Sequence, residues 1–352
     1  MAERGDVLEI NTIQDFDNLN SHHRSAILKE LKTKIRLEDW LRGQNNARNK
    51  RKRLRLANPK ARAVEYVIEG TDKEVTARDG SDIHPSQITK CLKKIWMDCM
   101  DVEMDVPVYA RDDNGRLVYA DKGDPEPVIT EYRRDRVPYY LLAEEYIEPR
   151  LQMIFDMGHA WHDVIQGYGK RGAWGPKKNY HEEVAIDPDA SGVDGDIINS
   201  MAELYWIKGA VDAVISPYYL EVPGMGKVAI RVIHEYKTIN SNGYSKLTKP
   251  KPDHMWQASI YSAVLDIPIV VYIYTNKDNC QMADFPVAFD HGLWQTIEAK
   301  IRKVQHLVNT NSVPDWSETS AVKNPRECAG CGYLKLCQPP QPEVAKLSAR
   351  RR

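Results

Sequence analysis

The chain has 352 residues, 42% of them hydrophobic and 28% charged, with 49 Lys+Arg against 50 Asp+Glu and a formal net charge of -1. That length allows one large domain or two modest ones, and the composition is that of a globular protein rather than a disordered one. The longest apolar stretch, Ile267 to Tyr274, is strand-sized, and Met1 to Asp6 lacks the pattern of a signal peptide, so no membrane partner is expected. A balanced total leaves nucleic acid open, because patches matter more than sums. Arg42 to Arg62 carries nine Lys/Arg and no acid, whereas Asp101 to Glu148 is rich in Asp and Glu.

In chain order, Ser21 to Leu41 places Ile27, Leu28, Leu31, Ile35 and Trp40 at roughly helical spacing. The basic segment Arg48 to Arg55 follows. It reads as a solvated helix face, a mobile arm, or a phosphate-binding or nuclear-localisation stretch. Ser86 is the expected N-cap of a helix with Ile88, Cys91, Leu92 and Ile95 on one side. Residues 101–140 mix Pro, Gly, Asp and Arg and predict a long excursion or a small hairpin. Tyr146 to Gln166 predicts a helix. Glu182 to Ile186 and Leu204 to Ile215 predict strands on either side of a Gly/Asp/Ser-rich turn near Asp189 to Asp196. A hairpin over Tyr218 to Thr238 comes next, then a Lys/Pro/Asn loop from Asn240 to Asp253. A helix over Met255 to Leu265, a strand over Ile267 to Thr275 and a long helix over His291 to Asn309 complete the pattern. The tail from Pro339 is Pro-rich, then basic, and predicts disorder. The order predicts an α/β fold, a mixed central β-sheet flanked by helices.

The chemistry gathers around Ala229 to Thr238, a β-branched run after the Pro223 to Gly226 turn. Residues two apart in a strand face the same side, so Glu235 and Lys237 project together. Asp212 lies in the preceding strand, which an antiparallel meander brings alongside. Two carboxylates and a lysine suit a hard divalent cation that activates water. Taken alone, Glu235-x-Lys237 better suits a surface ion pair on a sheet. Upstream, His159 and His162 are three apart on one helix face, and downstream Gln257 and Tyr261 are four apart on another.

Of the six cysteines, Cys328, Cys331 and Cys337 form a C-x2-C-x5-C set, a strong metal signal in a reducing compartment. A four-coordinate site needs one more thiolate, with Cys91, Cys99 and Cys280 as candidates. Spacing leaves zinc and a 4Fe-4S cluster both open. Tyr244, Lys246, Lys249 and Lys251 precede the Gln257 helix and read as a DNA channel lining or as a solvated loop. Trp161, Trp206 and Trp256 are able to stack on bases but read as core.

Taken in order, Gly158-x-x-x-His162, Gly209-x-x-Asp212, Glu235-x-Lys237 and Gln257-x-x-x-Tyr261 resemble the PD-(D/E)XK nuclease superfamily in its RecB-like branch. The resemblance implies a restriction-endonuclease-like core with a cysteine-clamped metal cluster. It divides the chain into a helical and basic extension over 1–85, a nuclease domain over 86–338 and a disordered basic tail over 339–352. It implies that His162, Asp212 and Glu235, with the Tyr236 carbonyl, ligate Mg2+ or Mn2+. Lys237 would position the attacking water, and Gln257 and Tyr261 would orient the site or touch the DNA backbone. His162 is preferred to His159 because the branch's glycine falls four residues before its histidine. Similarity to iron–sulfur members, including CRISPR-associated exonucleases and the AddB nuclease domain, selects Cys91 as the fourth thiolate and a 4Fe-4S cluster over zinc. Cys99 and Cys280 are then ordinary buried thiols. The activity implied is an Mg/Mn-dependent deoxyribonuclease, an exonuclease on single-stranded DNA or DNA ends. The implied setting is recombination, repair or DNA processing in the cytoplasm of a bacterium or a phage-infected host. With no Walker A motif in the chain, any helicase or recombination partner is expected to be a separate protein. A structure-specific endonuclease and a catalytically idle scaffold that binds DNA ends are the two other expectations.

Overall fold

The computed structural model describes residues 7–31, 36–37, 39–41, 43, 82–112, 114, 116–120, 128–138, 149–187, 195–319, 328, 331, 333 and 337. Of the basic segment 42–62 only Gly43 is described, and the tail from 339 lies outside the described residues. The elements in chain order begin with strand β1 (Leu8–Ile10), helices α1 (Ile13–Asp17), α2 (Ser21–Glu30) and α3 (Leu92–Asp98), strands β2 (Asp101–Tyr109) and β3 (Ile129–Pro138), and helix α4 (Pro149–Lys170). Strand β4 (Tyr180–Ile186), helix α5 (Gly195–Tyr205), and strands β5 (Gly209–Val222) and β6 (Gly226–Ile239) follow. Last come helices α6 (Ser241–Tyr244) and α7 (Pro252–Leu265), strands β7 (Ile269–Asn276) and β8 (Met282–Ala288), and helix α8 (His291–Asn309). Two compact units divide the chain. The first is Met1–Ala77, His84–Thr89 and Ile147–Ile301, and the second is Arg78–Ile83, Lys90–Tyr146 and Arg302–Arg352.

The first unit is built on a six-stranded mixed sheet in the order β4-β5-β6-β7-β8, with β1 also on β6. Strand β6 is the spine. Antiparallel β5 takes one edge over Gly226 to His234, while parallel β1 and β7 share the other over Val228 to Ile230 and Val232 to Ile239. Gly224 and Gly226 supply the left-handed backbone that closes the β5–β6 turn, with φ of 78° and 76°. Every residue of β7 is buried, as expected of an apolar run covered on both faces.

One face of the sheet carries Ala213, Ile215, Val232, Tyr236, Val271 and Ile273 against Phe16, Ile27, Ile165 and Trp174 of α1, α2, α4 and the segment after it. On the other face α7 lays Met255, Ser259 and Ser262 over Val270 and Tyr272. The layers are thus helix, sheet, helix. Helix α4 approaches β4 so closely at Gly169 that a Cβ there would lie 2.3 Å from the Tyr180 ring, so the position excludes any larger side chain without movement of the tyrosine.

Several local expectations are corrected. His84, not Ser86, caps the first turn after residue 83. That turn is a 3-10 segment over Pro85–Gln87, and the α-helix proper starts at Leu92 with Cys91 as its cap. The stretch up to Tyr205 is helical and the strand begins at Gly209, so Leu204 belongs to α5. The apolar residues Ile197, Ile198, Met201, Ala202 and Leu204 follow helical spacing, in keeping with the helix. Strand β8 was not anticipated at all. Its Met-Ala-Asp-Phe-Pro-Val-Ala sequence carries a proline, which an edge strand tolerates. The Lys/Pro/Asn loop holds one helical turn, α6, capped by the Asn240 side chain on the Gly243 amide at 2.8 Å.

In the second unit β2 and β3 form the small hairpin expected within 101–140, running in antiparallel register from Asp101 opposite Pro138. Separately, Trp96 and Met97 of α3 pack with Tyr333, whose hydroxyl donates to Asp98 Oδ1 at 2.5 Å. Cys331 and Cys337 lie against this cluster.

Candidate active site at a strand fork

The β5–β6 ladder ends at the pair Ala213–His234. Beyond it β5 stays with β4 and β6 stays with β7, so the two strands part. One step further in the same register Asp212 stands opposite Glu235. The amide of Tyr236, which would have met a β5 carbonyl, donates instead to Asp212 Oδ2 at 2.7 Å. From α4, His162 brings Nδ1 to 3.4 Å from Asp212 Oδ1. Lys237 Nζ is 2.5 Å from Glu235 Oε1. That charge-assisted contact engages Oε1, while Oε2 of the buried Glu235 carboxylate is without a hydrogen-bond partner.

The environments drive the two acids apart, a pattern that separates roles within one site. Burial alone would raise Asp212, but the hydrogen bond and charge of His162, the Lys237 ammonium and the Tyr236 amide hold it below the ordinary carboxylate value. Burial lifts Glu235 to about 7, with Lys237 opposing the rise and the Asp212 charge adding to it. Lys237 is pulled down by burial and pulled up more strongly by Glu235 and Asp212, so it keeps its proton. His162 is held above its usual value because Asp212 outweighs the burial of the ring. Four groups separated by 75 positions of sequence thus act on one another electrostatically.

The remaining residues singled out from sequence are placed as follows. Gln257 Nε2 donates to the hydroxyl of buried Tyr261 at 3.0 Å. The Tyr236 side chain turns away from the fork, its hydroxyl 3.1 Å from that of Tyr180 and 3.4 Å from His234 Nδ1. Lys246 and Lys249 are exposed on the segment between β6 and α7, and His159 is exposed on α4. Trp161, Trp206 and Trp256 are half-buried rather than fully core. Among the described residues, no three His, Cys, Asp or Glu side chains stand in an arrangement that already cages a metal ion.

In the second unit Cys91, Cys331 and Cys328 each act on Cys337, whose thiol is pushed up by burial first and by these neighbours in turn, while Lys93 opposes the rise. The Cys331 amide donates to the Cys328 carbonyl at 3.1 Å, and the Cys337 amide to the Tyr333 carbonyl at 2.8 Å. Cys99, expected to be buried, is half-buried, and desolvation pushes its thiol up to about 12. Cys280, expected to be buried, is instead exposed at the β7–β8 turn, where φ is 62°.

Sequence reasoning passed over two residues of the fork. Gln166, one turn beyond His162 and 3% exposed, splits its amide between the Asp212 carbonyl at 3.0 Å and Glu183 Oε1 at 2.7 Å. Glu183 has a left-handed backbone, φ 46°, and drops out of the β4–β5 register between Glu182–Ala213 and Val184–Val211. A non-glycine residue in that region costs on the order of 1 kcal/mol. Nothing in Glu182-Glu183-Val184 distinguishes it from an ordinary solvent-facing strand.

No family model and no curated protein matches the chain. Among solved structures, the crystal structure of SSO0001 is similar with a TM-score of 0.36 and 14% identity, covering 74% of this chain and 87% of that one. An alkaline exonuclease, LHK-Exo, from Laribacter hongkongensis is similar with a TM-score of 0.27 and 14% identity, covering 38% of this chain and 58% of that one. LHK-Exo in complex with dAMP gives a TM-score of 0.31 at 14% identity, covering 47% of this chain and 72% of that one.

The raised Glu235 has a measurable consequence. Its folded value of about 7 exceeds the ordinary 4.5, so the folded chain binds this proton more tightly than the unfolded chain does. The resulting stability is complete below the unfolded value and is lost as pH rises through the folded one. Glu235→Gln removes that titration. The melting temperature of the variant minus that of wild type should therefore become more positive from about pH 5 to about pH 8 and flatten above it. A constant or falling difference, followed by calorimetry across that range, contradicts the assignment.

Proposed function

We propose that the chain is a divalent-metal-dependent deoxyribonuclease, an exonuclease hydrolysing phosphodiester bonds of single-stranded DNA or DNA ends. The observation that carries this reading is Glu235: a buried carboxylate whose Oε1 pairs with Lys237 and whose Oε2 has no hydrogen-bond partner, in a fork shared with Asp212 and His162. Buried polar atoms are nearly always satisfied, so one left bare points to an ionic partner taken from solution. A donor set of carboxylates and one imidazole suits Mg2+ or Mn2+. His162, Asp212 and Glu235, with the Tyr236 carbonyl, would hold the ion, which supplies a hydroxide near neutral pH and neutralises phosphate charge.

The chain's own groups divide the remaining work. Lys237 stays protonated between two carboxylates, so it serves as a donor that orients the attacking water and offsets charge building on the phosphorane, not as a base. Asp212 binds the Tyr236 amide and His162 at once, which fixes where its carboxylate points. Gln257 fixes the hydroxyl of Tyr261 on the α7 side. Exposed Lys246 and Lys249 meet backbone phosphates, which positions DNA without reading its sequence.

The second unit is read as the holder of a 4Fe-4S cluster on Cys91, Cys328, Cys331 and Cys337, with zinc as the other occupant that four thiolates accept. The mutual influence of these thiols on Cys337 supports the reading. Such a cluster ties residue 91 to residue 337, and its contribution is structural.

Two experiments test these assignments. With Mn2+ or Mg2+, the wild-type chain should release nucleotides from end-labelled DNA, and Asp212→Asn and Lys237→Ala should each slow release by roughly 100-fold or more. Asparagine keeps the acceptor for the Tyr236 amide, so the loss reports charge rather than unfolding. Equal release by all three proteins removes the reading. Separately, protein purified without oxygen should be brown, with broad absorbance near about 400 nm that Cys328→Ser abolishes. A colourless wild-type preparation with stoichiometric zinc contradicts the cluster.

A further inference from the structure

A third carboxylate lies beside the two expected acids of the fork. Tyr261 is within electrostatic reach of Glu235, Asp212 and Glu183 together. Against these three acids stand the Lys237 ammonium and the His162 imidazole. Glu183 is exposed and, among the described residues, forms no ion pair with a lysine or arginine. Its one hydrogen-bond partner is the neutral amide of Gln166, which also grips the Asp212 carbonyl. The buried amide therefore binds the Glu183 carboxylate to the backbone of the residue at the centre of the fork.

A phosphodiester is itself an anion, and a surplus carboxylate beside it repels substrate unless a cation lies between them. Glycine would relax the left-handed backbone of Glu183, so the side chain is retained at the expense of strain. The second, independent observation is Glu235, whose side chain is 1% exposed and whose Oε2 receives no hydrogen bond in the same cluster.

We propose that Glu183 is a third carboxylate of the divalent-cation site, held by Gln166 as an outer ligand that contacts the ion through its water shell. This rests on reading the fork as a cation site, and it adds a residue that the Asp212, Glu235 and His162 set does not contain. Outer-shell groups of this kind tune affinity without supplying a direct bond.

Titration of the full-length, DNA-free protein with Mn2+, following free ion by electron paramagnetic resonance, tests the assignment. Glu183→Gln keeps an acceptor for Gln166 and should raise the Kd for Mn2+ about tenfold, with the metal-free melting temperature unchanged. Glu183→Gly removes the carboxylate altogether and should weaken binding at least as much. If both variants bind Mn2+ as wild type does while Asp212→Asn does not, the role of Glu183 is overturned and the nuclease reading stands. If Glu183→Gln weakens Mn2+ binding but wild type with Mn2+ leaves labelled DNA intact, the role stands and the nuclease reading falls. Wild type that takes up no Mn2+ overturns both.

Discussion

The hydrogen bond from the Tyr236 amide to Asp212 is the constraint on which the site depends. A sheet that paired fully would bury both strands' polar atoms in a ladder and leave no opening. Here a side-chain carboxylate substitutes for a strand carbonyl, so β5 and β6 part without leaving the amide orphaned. A buried amide without its acceptor costs roughly 1–3 kcal/mol, which is why the parting of the strands and the presence of an acid at 212 are one feature rather than two. The opening then admits His162 from one helical layer, while α7 covers the other face.

Charge completes what geometry begins. One ammonium stabilises two acids, and it does so unequally. Asp212 is held ionised by several donors, whereas Glu235, with Lys237 against full burial, is lifted to about 7. A polyvalent cation entering such a place would find one acid already ionised and another whose proton is readily displaced. The imidazole of His254 lies on the same α7 side and is held neutral, pushed down to about 3 by burial and by Lys237 and Lys251. Its Nδ1 is 2.7 Å from the Tyr274 hydroxyl, which also accepts the Lys251 amide at 2.9 Å. His254 therefore adds no positive charge beside Lys237.

Much of this was legible in the residues. The alternation through Glu235, Tyr236 and Lys237 specifies which groups share a face, and spacing by four puts Gln257 beside Tyr261. The β-branched runs of β6 and β7 announce central strands. What was hidden depends on tertiary context. Helix α5 is short, and its beginning is rich in Gly and Asp and reads as a turn. Strand β8 exists because β7 offers an edge, not because its own sequence insists on it. Glu183 is the clearest case. A left-handed glutamate leaves no signature in sequence, since its conformation is imposed by Gln166 and by the neighbouring strand. The thiols show the opposite balance: their spacing declares a metal-type set at once, while Cys280, expected inside, was placed on a turn by the β7–β8 connection.

The central claim is that the fork gathers His162, Asp212 and Glu235 around a single divalent ion. Crystals grown with Mn2+ and measured at the manganese absorption edge test it most directly. The account predicts one strong anomalous peak in the fork, about 2.0–2.5 Å from an oxygen of each acid and from the histidine ring nitrogen. A map with manganese bound elsewhere, and none between the two parting strands, would contradict it.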